Sequence, residues 1–109
     1  MNISLGLGFA LLLSVVLATA AGAQTQDPVL SLADGTATPT QITVPAGKPF
    51  TLTVRNTGKT PAEFESHRLH VEKILPPGKE IQLKLTLPKG RYPFVDEFHP
   101  AARGTLVAE

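Results

Sequence analysis

Apolar and polar residues alternate over short stretches along most of this chain. Phe50, Leu52 and Val54 alternate with Thr51, Thr53 and Arg55, and Ile81, Leu83, Leu85 and Leu87 alternate with Gln82, Lys84 and Thr86. A period of two places one set on each face of an extended chain, so both stretches predict half-buried β-strands. Shorter runs of the same kind occur at Val29 to Leu32, Gln41 to Val44, Tyr92 to Val95 and after Gly104. Phe64 between Glu63 and Glu65 predicts an inward ring flanked by two outward carboxylates. Leu69 and Val71, alternating with His70 and Glu72, predict a strand of their own. Asp34-Gly35, Pro45-Ala46-Gly47, Asn56-Thr57-Gly58, Pro76-Pro77-Gly78 and Pro88-Lys89-Gly90 supply turn chemistry between these runs. Thr36 to Thr40 contains Pro39 and predicts an edge or a loop, because proline cannot donate to a central ladder. Seven to eight short strands at about ten-residue intervals predict an all-β fold, an antiparallel sandwich or barrel. Beyond the N-terminal run there is no helical period, and at most one helical turn at Pro100-Ala101-Ala102.

The N-terminus reads differently. Asp27 is the first charged side chain, Ile3 to Ala20 is mostly apolar, and Ala21-Gly22-Ala23 has the small-x-small form of a secretory cleavage site. Residues 1–23 are therefore expected to be a signal peptide and residues 24–109 the exported domain, with no membrane insertion after cleavage. The run is also long enough to span a bilayer if left uncut.

Composition narrows the chemistry. The net charge is +1 and the basic residues are scattered, which leaves no footprint for nucleic acid. There is no cysteine, and the single methionine is Met1. A blue-copper centre needs a cysteine thiolate, and Cu(I) prefers soft sulfur ligands. Any metal site in this domain must use carboxylates, imidazoles, backbone groups and water. Ser66 and His67 are sequence neighbours, which on a strand point to opposite faces and make a poor nucleophile–base pair. No phosphate-binding glycine loop or dinucleotide fingerprint is present.

The last twenty residues carry a resemblance. Gly90-x-Tyr92-x-Phe94-x-Asp96-x-x-His99, then Gly104-x-Leu106, resembles the C-terminal metal loop of cupredoxins, with Asp96 at the position of the copper-binding cysteine and His99 at that of the second histidine. Val44-Pro45-Ala46-Gly47, the Phe50-x-Leu-x-Val strand and Asn56 resemble the family's earlier passage, but the stretch after Asn56 offers Glu63 and Glu65 where a first ligating histidine would stand. The resemblance implies a cupredoxin-like antiparallel Greek-key β-sandwich. Glu63-Phe64-Glu65-Ser66, Glu72-Lys73, Pro77-Gly78 and Phe98-His99-Pro100 further resemble small cysteine-less cupredoxin-like proteins of bacterial ferrous iron uptake. That resemblance implies a periplasmic accessory role beside an iron permease and a second periplasmic metal-binding protein, with copper as cofactor and iron as alternative or substrate. In a cupredoxin-like sandwich the loop after the Asn56 strand and the loop after Phe94 meet at one end. That would bring Glu63 or Glu65 close to Asp96, Glu97 and His99 as metal ligands. The family match adds Glu72, and His67 and His70 are second-line candidates. Carboxylates with one imidazole suit Cu(II), Fe(II) or Fe(III) better than Cu(I). The competing reading is a metal-free sandwich that binds a partner protein through its acidic end, with Glu63 and Glu65 as edge charges that block aggregation.

Overall fold

The alternation becomes nine strands in a computed structural model that describes residues 27–109. The expected signal segment, 1–23, lies outside the described residues. In chain order the strands are β1 (Val29–Ala33), β2 (Thr36–Thr38), β3 (Gln41–Val44), β4 (Phe50–Asn56), β5 (Ala62–Ser66), β6 (Val71–Leu75), β7 (Glu80–Leu85), β8 (Gly90–Asp96) and β9 (Arg103–Ala108). They form a four-stranded sheet ordered β2-β1-β4-β7 and a five-stranded sheet ordered β3-β9-β8-β5-β6. Among the described residues no helix is present, and 97–101 form only turns. The edge segment around Pro39 holds a three-residue strand, β2, at the rim of its sheet.

Inward residues from the two sheets meet in one core. Leu30, Leu32, Leu52 and Val54 come from the first sheet, and Phe64, Tyr92, Phe94, Leu106 and Ile42 from the second. The Phe64 and Phe94 rings lie 5.9 Å apart at 34°, a tilted contact that aromatic quadrupoles favour. Each such ring stabilises the fold by about 1.5–3 kcal/mol through burial alone.

Two features depart from the purely antiparallel expectation. β1 pairs parallel with β4, and β3 pairs parallel with β9, so both sheets are mixed. Parallel neighbours need a connection across the sandwich, and each of these pairs is joined by chain that first visits other strands. The segment 67–70 is a turn and not strand: His70 donates its amide to His67 O at 3.1 Å and adopts a positive φ of 56°. The apparent Leu69/Val71 alternation is therefore split, with Leu69 in the turn and Val71 opening β6. His67 and His70 do not share a strand.

Gly104 is the position where β9 lies closest to its neighbours. It pairs with Phe94, and a Cβ there would collide with the Thr40 carbonyl oxygen and the Phe94 ring. Only hydrogen fits, and this close approach keeps β9 in place between β3 and β8.

Candidate metal centre

Register explains why the acidic residues meet. β5 and β6 pair with Glu65 directly opposite Glu72 and Glu63 opposite Ile74. Glu63 and Glu65 are two apart on one strand and so share a face, the outer face of the five-stranded sheet. On the other side β5 pairs with β8, Phe64 opposite Asp96. Beyond that pair the Glu97 amide donates to Glu63 O at 2.9 Å, which carries Glu97 alongside β5 although β8 has ended. One carboxylate oxygen each from Glu63, Glu65, Glu72 and Glu97 then lies within 4.8 Å of the others.

Among the described residues this group has little to neutralise it. Among the described residues none of the four glutamates pairs with a lysine or arginine, and the one ion pair within the group joins Glu65 Oε1 to His67 Nε2 at 3.0 Å. Glu65 is only 9% exposed, and its Oε2 is buried with no hydrogen-bond partner. Like charges opposed across a strand pair are destabilising, as is an unsatisfied buried acceptor. The Glu63 carboxyl is raised above its ordinary pKa, first by burial, then by a hydrogen bond with Glu97 and by the charges of Glu72 and Glu97. A cation would relieve all of these at once. Open clefts reach Glu65 from both sides: one of about 390 Å³ bounded by His67, Val95, Arg103 and Thr105, another of about 230 Å³ bounded by His67, His70 and Glu72.

Asp96 and His99 stand apart from the four glutamates. Asp96 is fully buried; its Oδ1 accepts the amides of Glu63 at 2.9 Å and Phe98 at 3.0 Å, and its Oδ2 lies 2.9 Å from His99 Nδ1. His99 Nε2 lies 3.2 Å from Thr60 Oγ1. Both oxygens of Asp96 and both ring nitrogens of His99 are thus engaged within the protein. The resemblance drew these two residues into one ligand set with the glutamates; the structure places them in a hydrogen-bonded chain beside it. Arg103 donates from Nε to Pro100 O at 2.8 Å.

Two residues that the sequence marked only as turn or motif positions hold this end of the sandwich. Asp34, in the β1–β2 turn with a φ of 46°, accepts the amides of Lys59 and Thr60 and the Thr60 hydroxyl. Those bonds, the Thr60 hydroxyl foremost, hold its carboxyl below the usual range. Asn56, buried, donates from Nδ2 to Thr60 O and Leu75 O, each at 2.9 Å, and accepts the Gly58 amide at Oδ1. Asp34-Gly35 and Asn56-Thr57-Gly58 were visible as turn sequences; that their side chains grip a distant loop was not.

The comparisons with known proteins agree on the fold. The model of the cupredoxin-like domain family matches residues 6–108. The chain belongs to the cupredoxin-like domain family. The purple cupredoxin of Nitrosopumilus maritimus superposes with a TM-score of 0.63 at 18% identity, covering 76% of this chain and all (100%) of that one. Reduced auracyanin from Roseiflexus castenholzii gives 0.64 at 15% identity, covering 78% and 98%. A Cu(I) form of an amicyanin mutant gives 0.65 at 21%, covering 83% and 89%. In sequence, an uncharacterized protein of Rickettsia prowazekii (strain Madrid E) is 34% identical over 80 residues, which is 72% of this chain and 64% of that protein. This cupredoxin-like domain does not fit the blue-copper group of the fold. It has no cysteine, and the aspartate at the expected thiolate position is sealed in the interior with every oxygen hydrogen-bonded.

Proposed function

We propose that this chain is a periplasmic metal-binding protein whose centre is the oxygen cage of Glu63, Glu65, Glu72 and Glu97. It would bind Cu(II) or iron and act as an accessory in ferrous iron uptake, beside an iron permease and a second periplasmic metal-binding protein. The observation that carries the metal reading is the convergence of four carboxylate oxygens within 4.8 Å, unpaired with lysine or arginine and including one side chain with a buried, unpartnered oxygen. Carboxylate oxygens suit hard and borderline cations. They also favour Fe(III) over Fe(II), since more negative charge stabilises the higher oxidation state, so the cage would ease oxidation of bound Fe(II), with dioxygen as the acceptor of the electron, and would hold copper as Cu(II). The iron-uptake role is supported by the resemblance of the Glu63-Phe64-Glu65-Ser66 and Phe98-His99-Pro100 segments to proteins of such systems. The export assignment is supported by the apolar N-terminal run and Ala21-Gly22-Ala23.

A second reading is docking to a partner protein without a metal, and it is favoured by Ile74 (61% exposed) and Phe98 (48% exposed), which neighbour Glu63 and Glu97. The two readings separate on metal content. Protein isolated from the export compartment of its host is expected to carry about one copper or iron per chain, and iron uptake is expected to fall in cells expressing only a Glu63→Gln/Glu72→Gln variant. Metal-free protein together with unchanged uptake by that variant would favour docking.

A further inference from the structure

We propose that Asp96, with His99 behind it, is a positioning residue for the carboxylate centre and not one of its ligands. This rests on the reading of the four glutamates as a cation site. The geometry is specific. Glu63 comes from β5 and Glu97 from the loop after β8; the Glu97 amide bonds Glu63 O at 2.9 Å, and the Glu63 amide and the turn beyond Glu97 are held by Asp96. Asp96 Oδ1 accepts the Glu63 amide and the Phe98 amide together, so one buried oxygen joins the residue that carries one carboxylate to the residue that follows another. The Asp96 amide donates to Ala102 O at 2.8 Å, and Asp96 O accepts the His99 amide at 3.0 Å, which closes the loop over its own base. His99 then braces the second oxygen of Asp96 with Nδ1 and reaches Thr60 with Nε2, and Thr60 is itself held by Asp34 and Asn56. The position that aligns with a metal-binding thiolate by resemblance therefore does another task here. It sets the spacing between two carboxylates on the neighbouring outer face.

A carboxylate that ligates and a carboxylate that positions respond differently to amidation. Asparagine at 96 keeps an oxygen for the Glu63 and Phe98 amides and turns its N–H2 toward His99 Nδ1, which accepts it in the other tautomer. Alanine keeps neither. The experiment titrates native, Asp96→Asn, Asp96→Ala and His99→Gln proteins with Cu(II), with electron paramagnetic resonance of each loaded form. Amide hydrogen exchange of the metal-free proteins accompanies it.

Asp96→Asn is expected to hold its affinity within about 3-fold, whereas Asp96→Ala weakens by about 10–100-fold, the range for removing an outer partner of a ligand. His99→Gln is expected to leave the Cu(II) spectrum, including any nitrogen splitting, as in the native protein. In metal-free Asp96→Ala the Glu63 and Phe98 amides are expected to lose protection while the central β4 amides keep theirs, which separates a loosened loop from an unfolded domain. If native protein binds and Asp96→Asn falls as far as Asp96→Ala, or His99→Gln removes nitrogen splitting, the two residues are ligands and the proposal is overturned. It is equally overturned if Asp96→Ala binds as the native does. Native protein that binds neither Cu(II) nor, anaerobically, Fe(II) removes the cation site itself, and the proposal with it, a result that the variants cannot mimic.

Discussion

Glu65→Gln is expected to make the metal-free protein more stable and its metal-bound form less so. Glu65 is nearly buried, directly faces Glu72 across the β5–β6 pair, and leaves Oε2 without a donor. Opposed like charges across strands cost a few tenths to about 1 kcal/mol, and an unsatisfied buried acceptor costs about 1–3 kcal/mol. Glutamine removes the charge and brings an N–H2 that can donate to Glu72. Against this stands the loss of the bond to His67, whose side chain is 92% exposed; an ion pair with so exposed a partner is worth under about 1 kcal/mol. The net gain is about 1 kcal/mol, which in a domain of this size raises Tm by about 4–8 °C. Binding acts in the opposite direction, because an ion at 100 times its Kd stabilises the native state by about 2.7 kcal/mol, and the variant forfeits most of that. Thermal melts of native and variant protein, first with chelator and then with saturating Cu(II), read both effects. A chelated variant that melts several degrees lower would mean that the carboxylate at 65 is a structural asset. Equal metal-induced shifts in the two proteins would mean that it is no ligand. Either result refutes the reasoning.

Gly104→Ala is expected to push β9 off Phe94 and Thr40 and to cost about 1–3 kcal/mol, the usual range for overpacking, seen as a lower urea midpoint. Asn56→Ala removes three hydrogen bonds from a buried amide and at about 1 kcal/mol each should cost about 3 kcal/mol, again by denaturant titration. Because the folded pKa of Glu63 is raised, stabilisation from its protonation is present below the ordinary carboxylate value and is lost as pH rises through the elevated one. Metal-free protein should therefore gain stability on mild acidification from this group, and metal affinity should weaken over the same window with proton release on binding, measurable by calorimetry in buffers of different ionisation enthalpy. Asp34 has the opposite sign: its folded pKa is lowered, so the stability it contributes is lost as pH falls through that value, and Asp34→Asn should flatten the acid limb of the melting curve.

Period-two patterning located the strands because a sandwich face demands it: Phe50, Leu52 and Val54, or Tyr92 and Phe94, have one side to bury and one to show. It also placed Phe64 inward and Glu63 and Glu65 outward, and hence half of the carboxylate cage. Patterning carries no information about which strands pair, so the parallel β1–β4 and β3–β9 contacts were beyond it. It failed at Leu69-His70-Val71 for a local reason. The left-handed backbone at His70 breaks the alternation, and that conformation is uncommon for a residue other than glycine. The resemblance added Glu72 and the meeting of two loops added Glu97, and the structure places a carboxylate oxygen of each within 4.8 Å of Glu63 and Glu65. It placed Asp96 and His99 by alignment alone, and alignment cannot tell whether an oxygen faces a cavity or a backbone amide. Asp34 gave no signal as a loop anchor because its partners, Lys59 and Thr60, lie about 25 residues away.

The central claim is that the four glutamates bind a cation. Equilibrium titration of metal-free protein with Cu(II), and anaerobically with Fe(II), beside the Glu63→Gln/Glu65→Gln/Glu72→Gln variant tests it most directly. The account predicts about one ion per native chain, displacement of protons, and loss of binding in a variant that still melts cooperatively. No binding by the native protein, or equal binding by the variant, would contradict it.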